Sequence, residues 1–297
     1  MIDLGGHQVN HNYLLFFFSL CFGLPSINLA QNFSDVKMII HPVSKNVSYI
    51  EGRGGNIGVI HGEDGVLLID DQYAPLTEKI IDAIGTLSSR PIKFIINTHM
   101  HPDHTGGNEN FGRRGALIVG HENVRSQMRV AGYDQTPPFV TFSKDINFHI
   151  NDENVHVFKV PNSHTNNDSF IKFSNANVIH TGDVFRSESY PYIDTNNGGS
   201  FLGTIKVYEL LIELCDKNTK IIPGHGKQTN VETVKLAITM LNEIKSRITS
   251  MIEEGKNLDE ILSSDVTDDY DNRWDSGRRI GGPKGMLTAA YNELVKQ

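Results

Sequence analysis

Cysteine is scarce in this chain of 297 residues, which holds two, Cys21 and Cys215. Removal of the first thirty residues on export would leave one. That excludes an internal disulfide and any zinc site built on cysteine. Cys215 stands in the apolar stretch YELLIELCDKN and reads as a small core residue rather than a reactive thiol. Long basic runs are also missing, and the net charge is −8 with histidine neutral. Such a chain has no stripe to follow a phosphate backbone, so nucleic acid is not an expected partner. No Lys or Arg precedes Lys37, and no apolar run is long enough to span a bilayer. The run YLLFFFSLCFGL, Tyr13 to Leu24, has instead the length of a signal-peptide core, and Ala30 offers a small residue for cleavage. Leu20 stands before Cys21 where a lipidated cysteine would need a small residue. The expectation is a signal peptide over 1–30, a periplasmic or secreted product, and no stable membrane anchor in the mature form. No low-complexity linker divides the remainder, which predicts one domain over 31–297.

What is present is ordinary for a globular protein: 38% hydrophobic and 21% charged residues, in a chain long enough to bury a core unaided. VKMII, VSYIEG, NIGVIHG and VLLID are β-branched and punctuated by glycine, and predict successive strands between residues 36 and 70. Leu76, Ile80, Ile81, Ile84 and Leu87 share a helical face. Lys93 to Asn97 and ALIVG (116–120) read as strands, and His121 to Val130 as a helix. Residues 135–151 show no clear period. VHVFKV, SFIKF and NVIHTG are strand-like, Thr204 to Cys215 helical, and Lys220 to Ile222 a strand. A long helix is predicted from Thr229 to Glu254, capped by Thr229 or Asn230 and ended by Gly255. A last helix covers Lys284 to Lys296.

The segment THMHPDHTGG sets His99, His101, Asp103 and His104 directly after a buried-looking strand. In extended chain, residues i and i+2 point the same way, so His99 and His101 can reach one metal ion. Pro102 breaks the strand, which turns Asp103 and His104 elsewhere, toward a second ion. Gly106 and Gly107 let the backbone fold back. Imidazole with carboxylate suits Zn²⁺. His164, Asp183 and His225 each follow a strand-like run and sit in short turns of small residues, where they can converge on a common centre. With the first cluster they make seven candidates.

These motifs carry a resemblance. THMHPDHTGG, NSHTNND, HTGDVF and IPGHG, in that order, are similar to the four metal-binding motifs of the metallo-beta-lactamase superfamily of metal-dependent hydrolases, over about residues 47–226. The resemblance implies an α+β fold, a four-layer αββα sandwich. It implies two zinc ions per chain: His99, His101 and His164 on one, Asp103, His104 and His225 on the other, and Asp183 bridging. It further implies a small-molecule substrate with a carbonyl-centred bond (ester, thioester, lactone or amide) attacked by a metal-bound hydroxide that Asp103 orients. Two departures refine it. The lactamases of the superfamily carry Cys or Ser where this chain has Asp183, whereas the glyoxalase II, lactonase and esterase relatives carry Asp. The iron-dependent oxygen-reducing relatives carry Glu at the position of His101. A class B β-lactamase and an iron-dependent persulfide dioxygenase are therefore the rival activities, and a non-enzymatic metal-binding module is a third reading. Arg186 stands where some relatives hold a cation for a substrate carboxylate, and Asn197 in the NNGG loop could donate to a substrate carbonyl. Tyr190, Tyr192 and Trp274 are candidate pocket walls. Asp70 and Asp71 are candidates to support the metal loops. His180 is read as a sheet residue, and His61, His121 and His149 as structural or exposed.

Overall fold

Strands buried on both faces read as near-continuous apolar runs, because neither side meets water. That is the pattern of GVLLI in the computed structural model, which describes residue 1 and residues 32–132, 136–275 and 282–297. The predicted signal segment lies outside these apart from Met1. Residues Phe33–Gln297 form one compact unit.

Seven strands build a first sheet in chain order: β1 (Ile39–Pro42), β2 (Val47–Glu51), β3 (Ile57–Gly62), β4 (Gly65–Ile69), β5 (Ile92–Asn97), β6 (Leu117–His121) and β7 (Val140–Phe142). The first four form an antiparallel meander, and β4 to β7 run parallel. Parallel neighbours need crossovers. These are made by α1 (Thr77–Gly85), then α2 (Pro102–Thr105) with α3 (Asn108–Gly112), then α4 (Glu122–Val130). The second sheet holds β8 (Asp145–Ile150), β9 (Glu153–Lys159), β10 (Ser169–Phe173), β11 (Val178–His180) and β12 (Lys220–Ile222), in the order β12-β11-β10-β9-β8. α5 (Phe201–Leu214) crosses from β11 to β12, which are parallel. After β12 come α6 (Val231–Glu253), α7 (Leu258–Leu262), α8 (Asp268–Trp274) and α9 (Pro283–Leu294).

Side-chain alternation sorts the core into three layers. Val66 and Leu68 of β4 pack outward with Ile80 and Ile84 of α1, while Leu67 and Ile69 face Val157, Ile171 and Ile222 of the other sheet. On the far side Phe170, Ile179 and Ile221 pack against α5, α6 and α9. The order is helix, sheet, sheet, helix, as the resemblance implies.

Several expectations change in detail. The segment read as irregular, 135–151, contains β7 and β8. β8 alternates exposed Asp145, Asn147 and His149 with more buried Ile146, Phe148 and Ile150, the mark of an edge strand with one wet face. α5 begins at Phe201, not Thr204. Ser200 Oγ accepts from Gly203 N, and the carboxylate of Glu293 on α9 accepts from Phe201 N (2.7 Å) and Leu202 N (3.1 Å). α6 is capped by Asn230, and Gly255 follows its end at φ +81°. α7 and α8 were not expected, although Asn257 and Glu260 form a reciprocal cap legible as N-x-x-E. Trp274 and Tyr190 belong to the core beneath α5 and α6 rather than to a pocket wall. Cys215 is half-buried at the end of α5, where burial pushes its thiol up to about 11.

Candidate metal centre

The carboxyl ends of β4, β5, β9, β11 and β12 meet at one rim of the two sheets, and the candidate residues sit in the loops that leave them. β5 ends at Asn97, so His99 and His101 lie in the loop beyond the strand rather than on it. Their alternation survives because Met100 is held the other way. Its side chain is buried with Val124 and Met128, and its N–H donates to Asn167 Oδ1 at 3.0 Å. Asp103 and His104 form the first turn of α2, with Pro102 at its start. Gly106 and Gly107 have ordinary negative φ. They are required for close approach: a Cβ on Gly106 would stand 2.7 Å from the carbonyls of Gln72 and Pro102.

Two groups of ligand atoms result. His99 Nε2 and His164 Nε2 lie 3.1 and 2.9 Å from His101 Nδ1. Each ring is fixed from behind: His99 Nδ1 by Thr98 Oγ1 (2.9 Å), His164 Nδ1 by the Tyr192 carbonyl (2.6 Å), and His101 Nε2 by Asp194 Oδ2 (2.8 Å). This is how a metal-binding histidine is held in one tautomer. In the second group Asp103 Oδ2 lies 3.2 Å from His225 Nε2 and 3.8 Å from His104 Nε2. Asp183 stands between the groups. Its oxygens are 3.1 Å from His104 Nε2 and 3.3 Å from His225 Nε2, and it also groups with His99. All seven sequence candidates for metal binding are thus brought together.

The donor chemistry fits divalent cations. His104 Nε2 and Asp183 Oδ1 are both fully buried, yet neither makes a well-directed hydrogen bond despite their 3.1 Å separation. Two buried polar atoms that aim past each other point at a shared third position. Burial and the neighbouring histidines hold the His99 ring well below the usual imidazole range, and burial likewise lowers His164, so both are neutral donors. Burial alone would lower His104 and His225 too, but Asp183 and Asp103 outweigh it and raise both. Burial opposes ionisation of Asp103, but the His104 and His225 charges win and hold it at about 2. Asp183 is depressed for the same reason. Protons thus do, in part, the work a cation does.

Residues outside the seven build the frame. Asp70, at φ +64°, closes β4 and accepts from Thr98 N (2.8 Å), Thr98 Oγ1 (2.8 Å) and His104 Nδ1 (2.7 Å). Asp71 accepts from Gly107 N (2.8 Å). Asn56 ties the His225 loop, its amide reaching the Pro223 and Gly226 carbonyls at 2.9 and 2.8 Å. His180, wholly buried, donates to the Asn56 carbonyl (3.0 Å). Asp168 shapes the His164 loop through Ser163 Oγ and Thr165 N. Asn197 spends its side-chain amide on Asp194 (2.7 Å), so its route into the site runs through His101. Arg186 pairs by backbone with His225, and its Nε and Nη1 are buried without a hydrogen-bond partner among the described residues. Tyr192 lies beside the centre, its ring 5.5 Å from His164 and 6.1 Å from His101. His121 caps α4, and His149 is exposed. The Asp70–Asp71 pair was visible at the end of VLLID. Asn56 and Asp194 gave no local signal.

The family described as Metallo-beta-lactamase superfamily matches residues 50–225. Among solved structures, a metallo-beta-lactamase from Pontibacter korlensis superposes with a TM-score of 0.62 at 19% identity, covering 69% of this chain and 99% of that one. The DIM-1 metallo-beta-lactamase gives 0.61 at 15% identity, covering 70% and 99%. TMB-1 gives 0.59 at 16% identity, covering 69% and 97%. At these identities the likeness shows the fold.

Proposed function

This chain belongs to the metallo-beta-lactamase superfamily and is a metal-dependent hydrolase, and from that premise we propose that it holds two zinc ions and cleaves a carbonyl-centred bond in a small-molecule substrate. The observation that carries this reading is the pair of ligand groups meeting at Asp183, with orphaned His104 Nε2 and Asp183 Oδ1 between them. His99, His101 and His164 would hold one ion, Asp103, His104 and His225 the other, and Asp183 both. Bound divalent ions supply Lewis acidity toward a carbonyl and make water a better nucleophile near neutral pH.

The chain's own residues then divide the work. Asp103 is the more open carboxylate, its side chain 24% exposed against 6% for Asp183. Held ionised, it accepts the hydrogen bond of an attacking water, orients it, and can pass the proton on to the leaving group. Asp183, enclosed, keeps the two groups in register. Asp70 and Asp194 fix the rings of His104 and His101 so that binding a substrate requires no rearrangement. Arg186, bridged by backbone to the His225 loop and with Nε and Nη1 buried without a hydrogen-bond partner among the described residues, is the candidate for a substrate carboxylate.

Asp183 also bears on substrate preference. Were Asp183 to engage both ions, less of either would be available to the nitrogen that departs from a β-lactam, whereas thioesters, lactones and activated esters need less help. The test is kcat/KM on matched ester, thioester, lactone and β-lactam panels with zinc supplied. At least one ester-type substrate is expected to exceed every β-lactam by about a hundredfold, which is about 3 kcal/mol in transition-state binding. Penicillins or carbapenems as the best substrates would replace this reading with the β-lactamase one. Native purification should yield two zinc ions per chain, and His99→Ala should lose most activity. Iron in place of zinc would favour the dioxygenase reading. Export is part of the proposal and rests on Tyr13–Leu24 and Ala30. Protein from its host should begin near Gln31, and an intact cytosolic N-terminus would refute this.

A further inference from the structure

A cavity of about 610 Å³ lies away from the metal centre on the outer face of the second sheet. Its origin is visible in the strands. In β9 Val155 and Val157 face the first sheet, so His156 and Phe158 point the other way. Lys172 of β10 stands in register with His156, and Phe170 with Phe158. The helix layer stops at Leu214, the last residue of α5, and leaves this part of the sheet open. Phe158 and Leu214 form an apolar floor, and Lys144, Lys159 and Lys172 surround it. The volume is within the range of small-molecule sites, roughly 300–1,000 Å³.

We propose that this cavity binds an amphiphilic anion, an alkyl carboxylate whose head meets the three lysines and whose chain lies on Phe158 and Leu214. Among the described residues none of the three lysines is in ion-pair contact with a carboxylate. Lys159 and Lys172 each give a hydrogen bond to a backbone carbonyl, that of Val160 and of Leu214. An ammonium has three donors, so each keeps capacity for an anion. Asp168, the carboxylate that acts on Lys159, is turned to Ser163 and Thr165. Asp145, also at the cavity, stands 3.8 Å from His156. Lys159 is half-buried, and that burial pushes its pKa down. A partly desolvated cation without an anion is costly, and a carboxylate head offsets that cost. In a chain of net charge −8, three lysines around apolar surface, Lys159 and Lys172 partly buried and Lys144 exposed, are a local feature rather than a consequence of general basicity.

The experiment is calorimetric titration of the zinc-loaded mature chain with decanoate below its micelle concentration, with decanol and acetate as controls. Decanoate is expected to bind one per chain, at least about tenfold tighter than either control, since head and chain both contribute. Lys172→Gln should weaken decanoate about tenfold, and so should Lys144→Gln, an exposed substitution that leaves packing alone. Leu214→Asp should abolish binding. Decanol binding as well as decanoate would overturn the proposal. So would unchanged decanoate affinity in the lysine variants, which would place the carboxylate elsewhere, for instance at the metal centre. Binding only to phosphatidylglycerol vesicles, without uptake of monomeric decanoate, would overturn it in favour of a membrane surface.

Discussion

At His101 the deciding contact comes from 93 residues away, where Asp194 accepts from Nε2 and leaves Nδ1 to face His99 and His164. Burial pushes the Asp194 carboxyl up, but the hydrogen bonds from His101 and Asn197 outweigh it and hold it at about 2. Asp194→Asn keeps the shape and removes the charge. Metal affinity at the His99, His101 and His164 group is expected to fall by about 10–100-fold, measured by competition with a chromophoric chelator. The same carboxylate gives a pH signature. Its folded value lies below the ordinary aspartate value of about 3.9, so its stabilisation is present above about pH 4 and is lost as pH falls toward 2. Urea midpoints of parent and variant should therefore converge over that window. A constant gap would mean that the two side chains differ only in packing.

Among the elements, the β2–β3 hairpin touches the centre without contributing a candidate ligand. Gly55 donates to the Asp103 carbonyl (3.0 Å), and Gln72 Nε2 holds the Gly55 carbonyl (2.7 Å). A Cβ built on Gly55 would overlap the His104 ring, which is itself pinned by Asp70 and cannot retreat. Gly55→Ala is expected to cost about 1–3 kcal/mol in stability, the range for an overpacked site. It should also halve the bound metal by displacing His104 from the Asp103 and His225 group. Gly85→Ala is the matched control, because nothing lies within 4 Å of its Cβ position and it ends α1 in helical conformation. That change should be neutral or stabilise slightly. Chemical denaturation with elemental analysis distinguishes the two. Full metal content in Gly55→Ala would show that the hairpin yields more readily than the packing implies.

Over the whole molecule, protons and cations compete for one cluster. His104 and His225 have raised values in the metal-free fold. Their contribution is therefore complete below the ordinary histidine value, about 6.5, and is lost as pH rises through the raised ones. Asp103, held at about 2, contributes above about pH 4 and less as pH falls below that. These three groups together thus stabilise the metal-free protein most between about pH 4 and 6.5, and the histidine share is lost by about pH 9. The lowered His99 and His164 act in the opposite sense as pH falls below about 6.5. On the function proposed above, zinc should remove the loss at high pH, because it would replace the protons and bind more tightly as the ligands give them up. At a hundred times its dissociation constant it adds about 2.7 kcal/mol. Scanning calorimetry with and without chelator should show the gap in Tm widen from pH 6 to 9. A gap that narrows would mean that the raised histidines are not the groups zinc displaces.

The sequence by itself marked the seven candidate ligands that the fold brings together. Each of the four motifs is local, a few small or polar residues at the carboxyl end of a strand, and hydrophobic pattern together with spacing is enough to mark it. The same locality made the strands of β2–β6 and the long helix α6 readable. Tertiary structure decided what depends on distant partners. Asp194 fixes the His101 ring, Asn56 ties the His225 loop, Glu293 caps α5 from α9, and β7 and β8 become strands only as sheet edges. Trp274 and Tyr190 were assigned to the pocket by chemistry and to the core by packing. A hydrogen bond between residues far apart in sequence leaves no period and no motif. Its partners are chosen by where the two sheets bring their loops, and only the folded chain fixes that.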